Sequence, residues 1–184
     1  TGDPAMIFQV LTEEQLSPEL AALKPQYLYV PLTLMTEKLD LLRPFAEQGT
    51  IPVAVLPRVI ADNEAAAVYD MLSRMFDQGV NEALVGNLGH AMLAKKAGMK
   101  LRGDFGLNTF NSLSMEVISQ AGFISATASF ELRLSQIRDM IKPLDTELII
   151  YGRIPLMVSD QCIIRHSAGR CNCQTPGQMA DRMG

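Results

Sequence analysis

The sequence predicts a parallel α/β fold, on three observations. Gly49, Gly79, Gly98 and Gly122 each stand between a helix-like run and a β-like run, in Glu47-Gln48-Gly49, Asp77-Gln78-Gly79, Lys96-Ala97-Gly98 and Gln120-Ala121-Gly122. Glycine there can take the left-handed conformation that closes a helix. The segments after these glycines are short and continuously apolar, which suits strands covered on both faces. The segments between strands repeat apolar residues at helical spacing.

Taken in order, residues 7–10 read as the first strand, and Thr12 with Gln15 as a capping box just after it. Residues 27–30 are the second strand, and Thr36 is placed to cap a helix over 37–45. A third strand over 51–56 leads to a helix over 62–78, on which Val68, Met71, Leu72, Met75 and Phe76 share one face. Strands follow over 82–85, 99–101 and 123–126, helices over 114–120 and 131–140, and a last strand over 148–151. Residues 1–6 are polar, lack the basic and apolar regions of a signal peptide, and read as an expression scar. From Gly152 the periodicity is lost, so 152–184 read as a cysteine-containing loop segment following the α/β segment of 7–151.

Such alternation builds either a doubly wound sheet or a barrel, and a complete eight-unit barrel takes about 250 residues. The expectation is a partial TIM-type (βα) barrel of about seven parallel strands, with an open parallel α/β sheet as the alternative. The remainder of a longer chain is then its first expected partner.

Composition narrows the function. Of 184 residues, 48% are hydrophobic and 20% charged, with a net charge of -4. This excludes a strongly basic nucleic-acid mantle while leaving room for a local basic groove. No apolar run reaches the roughly 18 to 20 residues of a membrane span, so no membrane partner is expected. Cys162, Cys171 and Cys173 are odd in number and crowded together, which fits cytoplasmic thiols better than a secreted disulfide framework. Leu11-Thr12-Glu13-Glu14 after the first strand is no glycine-rich phosphate loop, and Gly-x-Ser-x-Gly and His-Glu-x-x-His words are missing.

In parallel α/β folds ligands meet the carboxyl ends of the strands. The words there include Leu56-Pro57-Arg58, Gly86-Asn87, the loop 102–111 and Tyr151-Gly152-Arg153. Arg58, Asn87, Asp104, Asn108 and Arg153 are expected at one rim. Asp104, Asn108 and Asn111 can converge on a ligand, or else cap helices and satisfy loop amides. Glu131 reads as a general base or as a first-turn carboxylate facing a helix dipole, the second being preferred. Arg153 suits an anion or a surface ion pair. The three thiols fit iron–sulfur or zinc ligation, the latter with His166 as a fourth donor, or are simply buried or reactive cysteines.

Three longer words carry a resemblance: residues 103–112 (GDFGLNTFNS), 128–137 (ASFELRLSQI) and 151–162 (YGRIPLMVSDQC). Their order and spacing resemble peptidase family U32, the collagenase-like proteases, over about residues 7 to 184, and most of all its large bacterial branch. The ending Met179-Ala180-Asp181-Arg182-Met183-Gly184 is similar to a family phrase, Asp-Arg-Lys-Gly, with Met183 in place of lysine. The resemblance implies a TIM-type barrel. It also implies an iron–sulfur cluster held by four cysteines, Cys162 and Cys171 or Cys173 among them, with a further cysteine beyond Gly184. The activities it implies are oxygen-independent hydroxylation of RNA bases or related aromatic substrates, or collagen-directed peptidase action. A substrate-binding module is a third class. Asp104, Asn108, Glu131 and Arg153 are the expected catalytic residues, and Arg58, Asn87 and Asn111 the expected substrate-binding ones.

Overall fold

In the computed structural model, which describes residues 4–155, 158 and 162–170, seven parallel strands pair in strict chain order. They are β1 (Ile7–Gln9), β2 (Tyr27–Pro31), β3 (Ile51–Val55), β4 (Glu82–Val85), β5 (Lys100–Gly103), β6 (Phe123–Thr127) and β7 (Asp145–Glu147). Between them run α1 (Pro18–Ala22), α2 (Leu32–Glu37), α3 (Arg43–Ala46), α4 (Ala65–Asp77), α5 (Ala91–Lys96), α6 (Ser112–Gln120) and α7 (Leu134–Asp139). The chain divides into two compact units, Thr1–Gly152 and Arg153–Gly184. The second contains α8 (Ile163–Ala168).

Side chains alternate across the strands, and the two faces of the sheet bury different things. Leu28, Val30, Ala54, Ala83, Val85, Leu101 and Ala126 point one way, into a core shared with Met35, Phe45, Val68, Leu72, Met75, Met115 and Ile118. Tyr29, Val53 and Leu84 belong to a separate small cluster with Ile7, Tyr27 and Val55. On that second face the Tyr29 hydroxyl of β2 donates to Glu147 of β7 at 2.8 Å. Strands so far apart in the order can touch only if the sheet curls, so this face is the interior of a partial barrel with β1 and β7 as its edges.

The glycine stops are as expected: Gly49, Gly79, Gly98 and Gly122 have φ of 86°, 90°, 84° and 81°. Gly98 is constrained twice over, because a Cβ there would also stand 3.1 Å from the Phe76 ring. That close approach is how Phe76 packs, although it stays half exposed rather than joining Val68, Leu72 and Met75 in the core.

Four local expectations need correction. The last strand is Asp145–Glu147, not 148–151. Its register against β6 places Glu147 beside Thr127. The β-prone run after it is solvent-facing, with Ile150 and Tyr151 at 81% and 96% exposure, so pairing and interior hydrogen bonds outweigh propensity. Thr36 caps nothing, since it lies inside α2, where its hydroxyl donates to the Leu32 carbonyl at 2.7 Å, and the segment 37–45 is broken by a 3-10 turn over Leu39–Leu42. β5 reaches Gly103, so Arg102 belongs to the strand and not to the loop after it. Finally, α7 begins at Leu134, with Arg133 at its N-cap position and its N–H donating to Gln136 Oε1 at 2.9 Å, which leaves Glu131 in the turn before it.

Candidate functional site at the barrel mouth

Beneath the mouth lies a buried polar network on the interior face. Arg102 of β5 donates through Nε to Glu82 Oε2 at 2.5 Å, and through Nη1 to Ser125 Oγ at 3.1 Å and Glu147 Oε1 at 2.9 Å. Ser125 Oγ also donates to Glu147 Oε1 at 2.6 Å, and the Arg102 guanidinium lies 3.8 Å over the Tyr27 ring. Glu147 thus accepts at both oxygens. Burial opposes the charge on Arg102, but the Glu82 hydrogen bond and the surrounding charges of Glu82 and Glu147 outweigh it and hold its pKa above the ordinary value. Burial and the Glu147 charge push the Tyr29 phenol up, so it remains a neutral donor. None of these residues was anticipated from sequence. The available signal was an ionisable residue inside each of two strands covered on both faces, which requires buried partners.

The mouth itself is built by the loops that follow β3, β4, β5 and β6. Arg58, after β3, reaches Asp104, after β5, with Nη2 3.6 Å from Oδ2. Its guanidinium lies 4.1 Å over the Phe105 ring, and Phe105 meets Phe130 edge-on at 5.9 Å and 65°. Asp104 Oδ1 accepts the Phe105 N–H at 2.8 Å and so caps the 3-10 turn Phe105–Leu107. The backbone is shaped around this cluster. A Cβ on Gly86 would lie 3.2 Å from Asp104 Oδ2 and 3.4 Å from Arg58 Nε. Buried Thr109 anchors the long loop, its carbonyl accepting from Ser129 N at 3.0 Å and its hydroxyl donating to the Thr127 carbonyl.

Burial raises the Asp104 pKa above its ordinary 3.8, opposed by the Phe105 N–H and Arg58 and reinforced by Glu147, so the network and the mouth share one field. A raised folded-state pKa means the folded protein binds more protons than the unfolded chain just above 3.8. The resulting stability is complete below the unfolded value and is lost as pH rises through the folded one. Asp104→Asn, which keeps an acceptor for Phe105 N–H, is expected to flatten this fall as pH rises from about 4. Urea midpoints across that range measure it, and an unchanged slope would defeat the assignment.

Of the other expected residues, Asn87 follows β4 and its Oδ1 accepts the Gly89 N–H at 3.0 Å. Asn108 closes the 3-10 turn in a left-handed conformation with φ 51°. Asn111 caps α6, accepting the Ser114 N–H at 2.9 Å. Exposed Glu131 receives no place in a helix, so its first-turn role is withdrawn. Arg58, Asn87, Asp104 and Asn108 therefore lie at the carboxyl ends of strands of one sheet, whereas Arg153 belongs to the second unit. His90, whose pKa burial lowers against a weaker opposing effect of the Pro57 carbonyl, has a buried Nδ1 with no hydrogen bond of normal geometry. In the second unit, exposed Cys162 precedes α8 and its Sγ accepts the Arg165 N–H at 3.3 Å. Cys171 and Cys173 lie outside the described residues. Among the described residues no group of three or more His, Cys, Asp or Glu is placed to hold a metal ion, and no helix is long and apolar enough to cross a membrane.

No match to a curated protein is found. The model of peptidase family U32 matches residues 36–179, a stretch that takes in α4, the loops forming the mouth and all three words that first suggested the family. With well over half of its length matched and a curled sheet of parallel strands beneath, the chain belongs to peptidase family U32.

Proposed function

We propose that this chain is the substrate-holding barrel of an iron–sulfur-dependent, oxygen-independent hydroxylase acting on RNA or a related aromatic substrate. The observation that carries this reading is the stack at the mouth, where the Arg58 guanidinium lies on Phe105 and Phe105 meets half-exposed Phe130. Aromatic faces and a guanidinium are the groups that seat a splayed base or another planar ring. Asp104, whose pKa burial raises, stands beside the seated ring as a carboxyl able to accept or release a proton, and exposed Asn87, Asn108 and Asn111 offer amides at the same end of the sheet. Glu131 is exposed after β6, and Arg153 is exposed in the second unit.

The donor chemistry fits a cluster at the residue that can be judged. Cys162 Sγ accepts a backbone N–H and has Arg165 as a near neighbour in sequence, which favours the thiolate that iron binds. Cys171 and Cys173 are the further donors this reading requires. When bound, a cluster supplies one-electron chemistry; the barrel binds and orients the substrate and handles its proton.

Nucleoside analysis of RNA from a strain lacking the gene is expected to show a hydroxylated base lost, restored by the wild-type gene but not by Arg58→Ala. Unchanged RNA together with collagen or gelatin cleavage by metal-free protein would establish the peptidase reading instead. Ligand binding without turnover by the iron-loaded protein would reduce the chain to a binding module.

A further inference from the structure

We propose that Arg58 is an oxyanion subsite, receiving the carboxylate or phosphate of a ligand whose unsaturated ring lies against Phe105 and Phe130. This deepens the reading above and rests on it only for the choice of the mouth as the substrate site.

The first ground is what Arg58 leaves undone. Its side chain is 30% exposed, yet the Asp104 carboxylate beside it is 3.6 Å away, beyond a normal hydrogen bond. Among the described residues none of its five N–H groups donates a hydrogen bond. In the same barrel Arg102 engages Glu82, Ser125 and Glu147. The partly exposed guanidinium therefore keeps its donors open to solvent, where an acceptor arriving from outside can take the place of water.

The second ground is how firmly it is held. Phe105 supports one face of the guanidinium at 4.1 Å. Gly86 and Gly106 close around it, and a Cβ on Gly106 would collide with Arg58 and lie 2.6 Å from the Gly86 carbonyl oxygen. A donor fixed before binding loses little freedom on binding, which raises affinity for a planar, bidentate oxyanion. The third ground is the ring pair beside it. Phe130 is 50% exposed and meets Phe105 edge-on, leaving aromatic surface uncovered within reach of the same charge.

Calorimetric titration of the 184-residue chain with acetate, benzoate, inorganic phosphate and phenyl phosphate tests this. A ring-bearing anion is expected to bind about tenfold or more tightly than its ringless counterpart, and the preference between benzoate and phenyl phosphate identifies the headgroup. Arg58→Ala is expected to weaken binding about tenfold or more, Arg58→Lys to give an intermediate value, and Phe105→Leu to erase the ring preference while retaining anion binding. No binding of either ring-bearing anion, or equal binding by folded Arg58→Ala and wild type, would overturn the proposal. The two readings fail separately: binding lost in Arg58→Ala with unchanged cellular RNA keeps the subsite and removes the hydroxylase, and a lost modification without anion binding does the reverse.

Discussion

Replacing Arg102 with alanine is expected to lower the unfolding free energy by about 3–5 kcal/mol, the range for breaking a buried ion pair from one side. The substitution removes the donors facing Glu82, Ser125 and Glu147 and empties the space over the Tyr27 ring. Two carboxylates then remain in the interior without their cation. The cost is that of stranded charge rather than of lost attraction, so replacing Arg102, Glu82 and Glu147 together by apolar residues of similar size is expected to cost less than Arg102→Ala alone. Urea denaturation followed by circular dichroism measures both. A loss under about 1 kcal/mol for the alanine variant would mean that water reaches this network freely.

Gly106→Ala is expected to cost about 1–3 kcal/mol and to abolish anion binding at the mouth as thoroughly as removing Arg58. The added Cβ meets the guanidinium, which can swing away, and the Gly86 carbonyl oxygen at 2.6 Å, which cannot move without displacing the end of β4. Gly49→Ala provides the contrast, because it forces alanine into φ 86° where no atom lies within 4 Å. It is expected to lose about 1 kcal/mol and keep wild-type affinity for benzoate. Wild-type affinity in folded Gly106→Ala would show that Arg58 is not held where binding needs it.

What could be read from the sequence was whatever depends on neighbours along the chain. β4 occupies the expected residues 82–85, and each glycine stop takes a positive φ, because a helix end followed by a short apolar run is a local pattern. The mouth was legible for the same reason, since residues just after strands must gather at one end of a parallel sheet. The curl of the sheet is not local. It decides that Glu147, rather than the apolar run 148–151, belongs to the last strand, and that Arg102 looks inward from β5 instead of outward from a loop. Phe105 and Phe130 were in view as letters of two motifs, but a separation of 25 positions hid their contact. Glu131 was misplaced because the helix after it starts at Leu134, with Arg133 rather than an acidic residue at its cap.

The hydrogen bond from Tyr29 to Glu147 joins positions 118 residues apart, and this separation imposes an order on synthesis. Each of β2 to β6 can pair with the strand before it as soon as it is made, because the sheet follows the chain. Closing so long a loop adds an entropic cost that local pairing does not carry. Arg102 and Glu82 can therefore pair with each other first, while the contacts of Arg102, Ser125 and Tyr29 with Glu147 wait until the ribosome delivers β7. Nascent chains arrested with residue 144 just outside the exit tunnel are expected to be cut readily by protease, and chains arrested with residue 150 outside it to resist it. Equal sensitivity at the two lengths would mean that the sheet is already secure before its last strand arrives.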